Sequence, residues 1–355
     1  MLFEGVHVPL ATPFYPDGRL NLRKLEHNVR RYSLTPCSGL IALGPNSEMA
    51  SLSSAERVEV LNTVAAETAK EKVLTAGIGL PGVRESVLLA QAAAEARFDA
   101  VLLGAPLEYR HLLWNDTEPS AACLTYFEAI ADASPLPVML HSDADHAPFP
   151  IALIARLAAH PNVIGILEQS THVSRVVQVR EATIAVKHTA TTTITFTAAT
   201  GRMLAVEQPA TVVAGTFVSA SSLSGGTAVA TAPPVPALKT RTKEIGFQIV
   251  WGRATDAAEA LRAGAGSLAM PLAASVPQAA FEVWAAWKDG DPKLLAEKQG
   301  RLARAEQGIA SWDTPSIKAA SELSGYFGGR PRLPLLSVTA NRAEEIASLL
   351  RGMNS

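Results

Sequence analysis

Residues 163–170 read VIGILEQS. Apolar side chains surround one glycine, Gly165, and polar groups follow at Glu168, Gln169 and Ser170. An unbroken apolar run of this length fits a strand buried on both faces, as in a parallel sheet covered by helices. Its polar end falls where barrel enzymes carry their chemistry, at the carboxyl end of the strand. Two residues stand there, Leu167 and Glu168. Strand side chains alternate, so if Leu167 faces the barrel axis, Glu168 faces the helix layer and acts as a structural polar partner.

Seven more runs share this character: residues 6–10, 40–43, 73–78, 100–103, 138–141, 247–251 and 267–270. Helical patterns separate them at 22–32, 55–70, 84–96, 120–133, 151–159, 173–182 and 256–263. Asn21 and Ser53-Ser54 are N-cap residues for the first two helices, and Gly264 suits a helix C-terminus. Strict alternation of strand and helix predicts a parallel sheet. Eight such units predict a closed (β/α)8 TIM barrel. No GxGxxG turn follows the first strand, which argues against an open dinucleotide-binding sheet.

Helical patterns at 278–288, 291–310, 316–325 and 342–351 follow the last strand, so residues 276–355 form a C-terminal helical region after a barrel of residues 1–275. Along this region Leu302, Ala305, Ile309 and Trp312 recur at helical spacing. The barrel is interrupted by residues 184–245, an insertion rich in Thr, Ala and Val. Within it 191–197 and 211–219 read as strands and 225–236 as a loop. It lies between helix 6 and strand 7, and a helix-to-strand connection lies on the amino-terminal face, opposite the face that carries chemistry. The insertion therefore reads as an assembly or stability feature, with a partly disordered insertion as the alternative and, ranked last, a substrate lid that would require the preceding helix to end earlier.

The net charge of −2 offers no basic footprint, so nucleic acid is not an expected partner. The two cysteines, Cys37 and Cys123, form no CxxC pair, which suits a reducing, cytoplasmic compartment. The opening MLFEGVHVPLATPF lacks the pattern of a secretory signal, and no apolar run approaches the length of a membrane span.

Four segments carry a family resemblance: ATPFYPDGRLN at 11–21, LGPNSEMASLSSAER at 43–57, NVIGILEQS at 162–170 and SIKAASELSGYFGGRPRLPL at 316–335. In this order and spacing they resemble the dihydrodipicolinate synthase and N-acetylneuraminate lyase family. The resemblance implies a (β/α)8 barrel with C-terminal helices, a homo-oligomer (dimer or tetramer) and a small-molecule substrate. It also implies pyruvate or a related 2-oxo acid held as a Schiff base on a lysine. A protonated imine is an electron sink that lets the neighbouring carbon act as a nucleophile.

The family's lysine stands in an IGIKE-like motif, and Leu167 occupies its place here. Leucine forms no imine. Lys24, Lys70, Lys72, Lys187, Lys239, Lys243, Lys288, Lys293, Lys298 and Lys318 fall by sequence position on helices, in the insertion or before a strand, and none at a strand's carboxyl end. The family's GTTGE-like turn reads Gly44-Pro45-Asn46-Ser47-Glu48, so Asn46 and Ser47 become candidates for binding a substrate anion or amide, and Glu48 keeps a structural role. The LYNVPSRT-like stretch places His141 at the proton-relay tyrosine and His146 at the arginine that meets a distal carboxylate. Glu108 or Tyr109 stands at the second tyrosine of a TPYY-like stretch, and Arg253 takes an acidic position of a GDD-like stretch.

The expected function is therefore a lyase or aldolase-family activity on a small carbonyl or carboxylate compound without the Schiff base. His141 acts as general base, Glu108 as its partner acid or orienting group, and Asn46, Ser47, His146 and Arg253 bind substrate. No cofactor is expected. One alternative is a metal-dependent lyase or hydrolase with a divalent ion on His141, Asp143 and Asp145, or with Glu108 or His146 among the ligands. Another is a non-catalytic relative that binds a metabolite. Beside the functional reading, each of these polar residues has a structural one, as an ordinary hydrogen-bonding group on a loop.

Overall fold

Runs that are apolar on both faces become the staves of a barrel. In the computed structural model, which describes residues 1–106, 120–143, 148–205, 238–309 and 314–353, the first six strands are β1 (Gly5–Pro9), β2 (Gly39–Ala42), β3 (Val73–Gly77), β4 (Ala100–Gly104), β5 (Val138–Ser142) and β6 (Val163–Glu168). Strands β7 (His188–Thr193) and β8 (Thr240–Ile245) belong to the insertion, and β9 (Gln248–Trp251) and β10 (Ser267–Leu268) complete the sheet. Eight parallel strands close in the order β1-β10-β9-β6-β5-β4-β3-β2, while β7 and β8 pair separately and antiparallel. The protein is a TIM barrel.

The barrel helices are α1 (Leu22–Ser33), α2 (Ser54–Glu67), α3 (Val83–Glu95), α4 (Ala121–Ala133), α5 (Ile151–Ala158) and α6 (Ser174–Ala182). A short α7 (Gly201–Leu204) lies in the insertion, and α8 (Ala257–Ala263) follows β9. The extension comprises α9 (Pro277–Lys288), α10 (Pro292–Ile309), α11 (Thr314–Leu323) and α12 (Ala340–Leu349). Local chemistry sets these ends. Asn21 accepts a hydrogen bond from the Lys24 N–H, Ser53 and Glu56 form a reciprocal capping box, and Gly264 ends α8 at φ 117°.

Alternation along each strand makes two cores. Val6, Leu40, Leu74, Leu103 and Ile166 face the helices, while Ile41, Leu102, Met139, Leu167 and Val250 pack inside the barrel. His7 is also buried, tilted against Phe3 at 5.0 Å, and its burial pushes the imidazole down to about 4.

The described part of the insertion sits on the amino-terminal face. Thr200 Oγ1 donates to the Lys70 carbonyl at 2.5 Å, the Gly201 N–H to Asp99 Oδ1 at 2.8 Å and Arg202 Nη1 to the Thr68 carbonyl at 3.1 Å. Lys70 and Asp99 stand just before β3 and β4. One expectation is corrected here. Residues 191–197 do not form a strand throughout: β7 starts at His188 and ends at Thr193, and 194–197 turn back so that the Thr193 N–H meets the Thr197 carbonyl at 2.9 Å. Residues 211–219 and 225–236 lie outside the described residues.

The extension returns to the barrel's carboxyl rim. Lys318 on α11 is almost wholly buried and ion-pairs with Glu48, in the loop after β2. Both Lys318 and Arg332 lie over the Phe14 ring, at 4.5 and 4.3 Å from its centroid. Arg332 also grips Glu56 at 2.6 Å and gives its backbone N–H to Glu48 Oε2 at 2.7 Å. Sequence position had set Lys318 apart from the strand ends; its side chain reaches the loops that follow β1 and β2.

Two outcomes follow. Lys318→Met strands the Glu48 carboxylate in a buried site, and urea unfolding should show a loss of about 3–5 kcal/mol, much of it recovered in the Glu48→Gln/Lys318→Met double variant. The side-chain bond from Arg332 holds the Glu56 carboxyl at about 2, below its ordinary 4.5. A depressed acid stabilises the fold fully above 4.5 and loses that contribution as pH falls toward 2. Glu56→Gln should therefore be less stable than the parent near neutrality, and the difference should shrink across that window in pH-dependent denaturation.

Candidate active site at the carboxyl rim

Strand register places the candidates. Leu167 of β6 pairs laterally with His141 of β5 and with Val250 of β9, and His141 pairs with Gly104 of β4. The first two point inward, so His141 stands beside Leu167 at the top of the barrel. Leu167 is 1% exposed and belongs to the interior apolar core.

His141 is half-buried, and its Nε2 lies 2.7 Å from Gln169 Oε1. An amide oxygen only accepts, so Nε2 carries the proton and Nδ1 is the basic nitrogen. Nδ1 faces Gly104. Gln169 is buried beside Gly252, where an added Cβ would overlap Gln169 Cγ. Its Nε2 has no hydrogen-bond partner among the described residues. Gln169 was not singled out from the sequence, although it stands two residues beyond Leu167 and so shares its inward face.

Glu168 faces the other way. Its carboxylate takes Ser142 Oγ at 3.2 Å, the Ser170 N–H at 3.0 Å and Arg175 Nη2 at 3.1 Å. Burial pushes its carboxyl up, opposed by Arg175. This network fastens the loop after β6 to α6.

The other candidates lie around the same rim but in separate networks. Asn46 gives both amide hydrogens to carbonyls, Pro9 O at 3.0 Å and Pro271 O at 2.9 Å, and so ties the loop after β2 to the ends of β1 and β10. Ser47 Oγ donates to the Gly44 carbonyl at 2.6 Å. Arg253 follows β9; its Nη2 donates to Thr255 Oγ1 at 3.2 Å, and its Nε lies 3.7 Å from Asp256 Oδ2. Asp256 also accepts the Trp251 indole N–H at 2.8 Å, so this cluster fixes the turn into α8. Glu108, Tyr109, Asp145 and His146 lie outside the described residues. Among the described residues no group of three or more His, Cys, Asp or Glu side chains is placed to hold a metal ion.

The sequence profile of the Dihydrodipicolinate synthetase family matches residues 2–189, more than half of the chain. The chain belongs to that family. The match stops where β7 opens the insertion. A 4-hydroxy-tetrahydrodipicolinate synthase of Methanosarcina acetivorans is 34% identical over 185 residues, 52% of this chain and 60% of the relative. The chain thus spans only about 60% of the length of the synthases of this kind that it matches. An L-threo-3-deoxy-hexylosonate aldolase of Aspergillus niger is 24% identical over 370 aligned positions, 99% of this chain and 95% of the relative. Among solved structures, the family member YagE of E. coli K12, in complex with pyruvate, superposes with a TM-score of 0.74 at 20% identity, covering 99% of both chains. That likeness bears on the fold.

The close fit of Gly252 against Gln169 is testable. Gly252→Ala should cost about 1–3 kcal/mol through overpacking. It should also displace Gln169, so that histidine NMR loses the pure Nε2–H tautomer of His141. Gln169→Leu should lose the tautomer signature without the overpacking.

Proposed function

We propose that this protein is a lyase or aldolase-type enzyme of the dihydrodipicolinate synthetase family that acts on a small carbonyl or carboxylate compound without a lysine imine. The observation that carries the proposal is Leu167, buried in the apolar interior, with the His141–Gln169 pair beside and above it. The resemblance puts the imine lysine at this position, and leucine supplies neither nucleophile nor proton. His141 supplies a base whose tautomer is set by Gln169. The chemistry that fits is removal of a proton from the carbon next to a carbonyl, with Nδ1 as acceptor. Arg253, Asn46 and Ser47 are the proposed substrate-side groups. For Asn46 and Ser47 that role is to accept a hydrogen bond from a substrate hydroxyl, since the Asn46 amide hydrogens and the Ser47 hydroxyl hydrogen are already given to rim carbonyls; the negative group is left to Arg253.

A second reading draws on the same layer. Apolar packing around Leu167 also suits a family relative that binds a metabolite and leaves it unchanged. We further propose a homo-oligomer working in a reducing, cytoplasmic setting. Two free, buried cysteines support the setting, and among the described residues no helix is long and apolar enough to cross a membrane.

The test has two arms. Incubation with pyruvate and sodium borohydride, followed by intact mass measurement, should leave the protein unmodified; a reduced adduct on any lysine overturns the proposal. In deuterium oxide, NMR should show solvent exchange at the carbon next to the carbonyl of an accepted 2-oxo acid. His141→Ala should slow that exchange about 10²–10⁴-fold. Saturable binding of a 2-oxo acid with no exchange in the parent protein would instead support the binding-only reading.

A further inference from the structure

The turn of the insertion carries an anomaly. Phe196 has φ 66°, a left-handed conformation that a hairpin normally assigns to glycine. A bulky residue held there is strained, and strain of this kind clusters at functional positions. The residue is also 54% exposed. The turn's hydrogen bonds, Phe196 N–H to the Thr193 carbonyl at 3.0 Å and Thr193 N–H to the Thr197 carbonyl at 2.9 Å, hold the conformation, and Arg241 lies over the ring 5.4 Å from its centroid, yet the residue stays half open to solvent.

Phe196 lines a cavity of about 690 Å³ on the amino-terminal face, between the turn and the barrel floor. Trp284 of α9 contributes a second aromatic surface, and Lys72, Lys243 and Lys288 also line it. Lys288 is ion-paired with Glu4. Lys72 and Lys243 form no salt bridge among the described residues, although Glu71 stands exposed at the rim. Lys72 is only 8% exposed, and its ammonium donates to the Thr35 and Cys37 carbonyls at 2.7 and 2.8 Å. An ammonium has three N–H donors, so one is left over. The neighbour of Lys243, Glu244, pairs with Lys187 at 2.9 Å instead.

We propose that this cavity is a second ligand site, separate from the carboxyl rim, for a planar organic anion such as an aromatic carboxylate. The negative group is met by Lys72 and Lys243, and the ring lies against Phe196 and Trp284. The size fits a small-molecule pocket. Because the site joins the insertion to the barrel floor, an occupant fastens one to the other.

The test uses 2-naphthoate on the full-length protein, by calorimetry and by fluorescence of the parent and of Trp284→Phe. The expected result is saturable 1:1 binding. Lys243→Glu should weaken it at least tenfold, and so should Phe196→Gly. Phe196→Gly relieves the left-handed strain, so its melting temperature should not fall; a binding loss explained by unfolding would show as a lower one. His141→Ala should bind 2-naphthoate like the parent, which separates this site from the rim. No saturable binding, binding unchanged in Lys243→Glu, or binding lost in His141→Ala overturns the proposal.

Discussion

The buried Glu48–Lys318 pair is the constraint around which the carboxyl rim is arranged. Glu48 sits in a left-handed conformation at φ 53°, and its side chain is 3% exposed. A carboxylate taken out of water costs several kcal/mol unless a cation and hydrogen bonds replace the solvent. Lys318 supplies the cation from α11, and the Arg332 backbone supplies a donor from the segment beyond it. Burial in turn lowers the lysine's own affinity for its proton, and Glu48 opposes that. Neither charge is tolerable alone. The tail must therefore come back to the rim, and the loops after β1 and β2 must meet it there.

This explains why distant stretches of sequence carry one signature. Phe14, Glu48, Lys318 and Arg332 lie in three of the four segments that resemble the family, and they form a single cluster. The fourth segment, around Leu167, lies across the barrel and belongs to the interior core. The rim is thus held by charge and the strand-six position by apolar packing.

The barrel was legible because its strands are buried on both faces, and unbroken apolar runs mark that state. The helix starts were legible where a side chain caps them, as at Asn21 and Ser53. The ribbon was harder. β8 reads TRTKEI and is exposed along nearly its whole length, so no burial period marks it. The turn that closes β7 lacks the glycine that would have announced it, because Phe196 holds the left-handed place. Lys318 was missed as a rim residue, yet Ile317, Ala320 and Ser321 around it are buried, and a lysine within such a stretch needs a buried acid. At the candidate site, the motif named His141 as a candidate, whereas Gln169 beside it required the strand alternation to be carried one step past Leu167.

Arg253 shows how far residue type carries an assignment. A guanidinium at a strand end suggests a carboxylate-binding group, and the proposed function uses it so. In the structure it already has Asp256 beside it, and the nearby buried Glu306 accepts the Thr255 N–H. Burial pushes both of these carboxyls up, and Arg253 offsets part of that rise. An incoming substrate carboxylate would compete with Asp256 for the same cation, and Asp256 is held in place by the Trp251 indole. Binding there is favourable only for an anion that reaches the guanidinium face Asp256 leaves open. On the proposed function, the turn into α8 would select by shape as well as charge, and the reacting carbon would fall near His141 on the neighbouring side of β6.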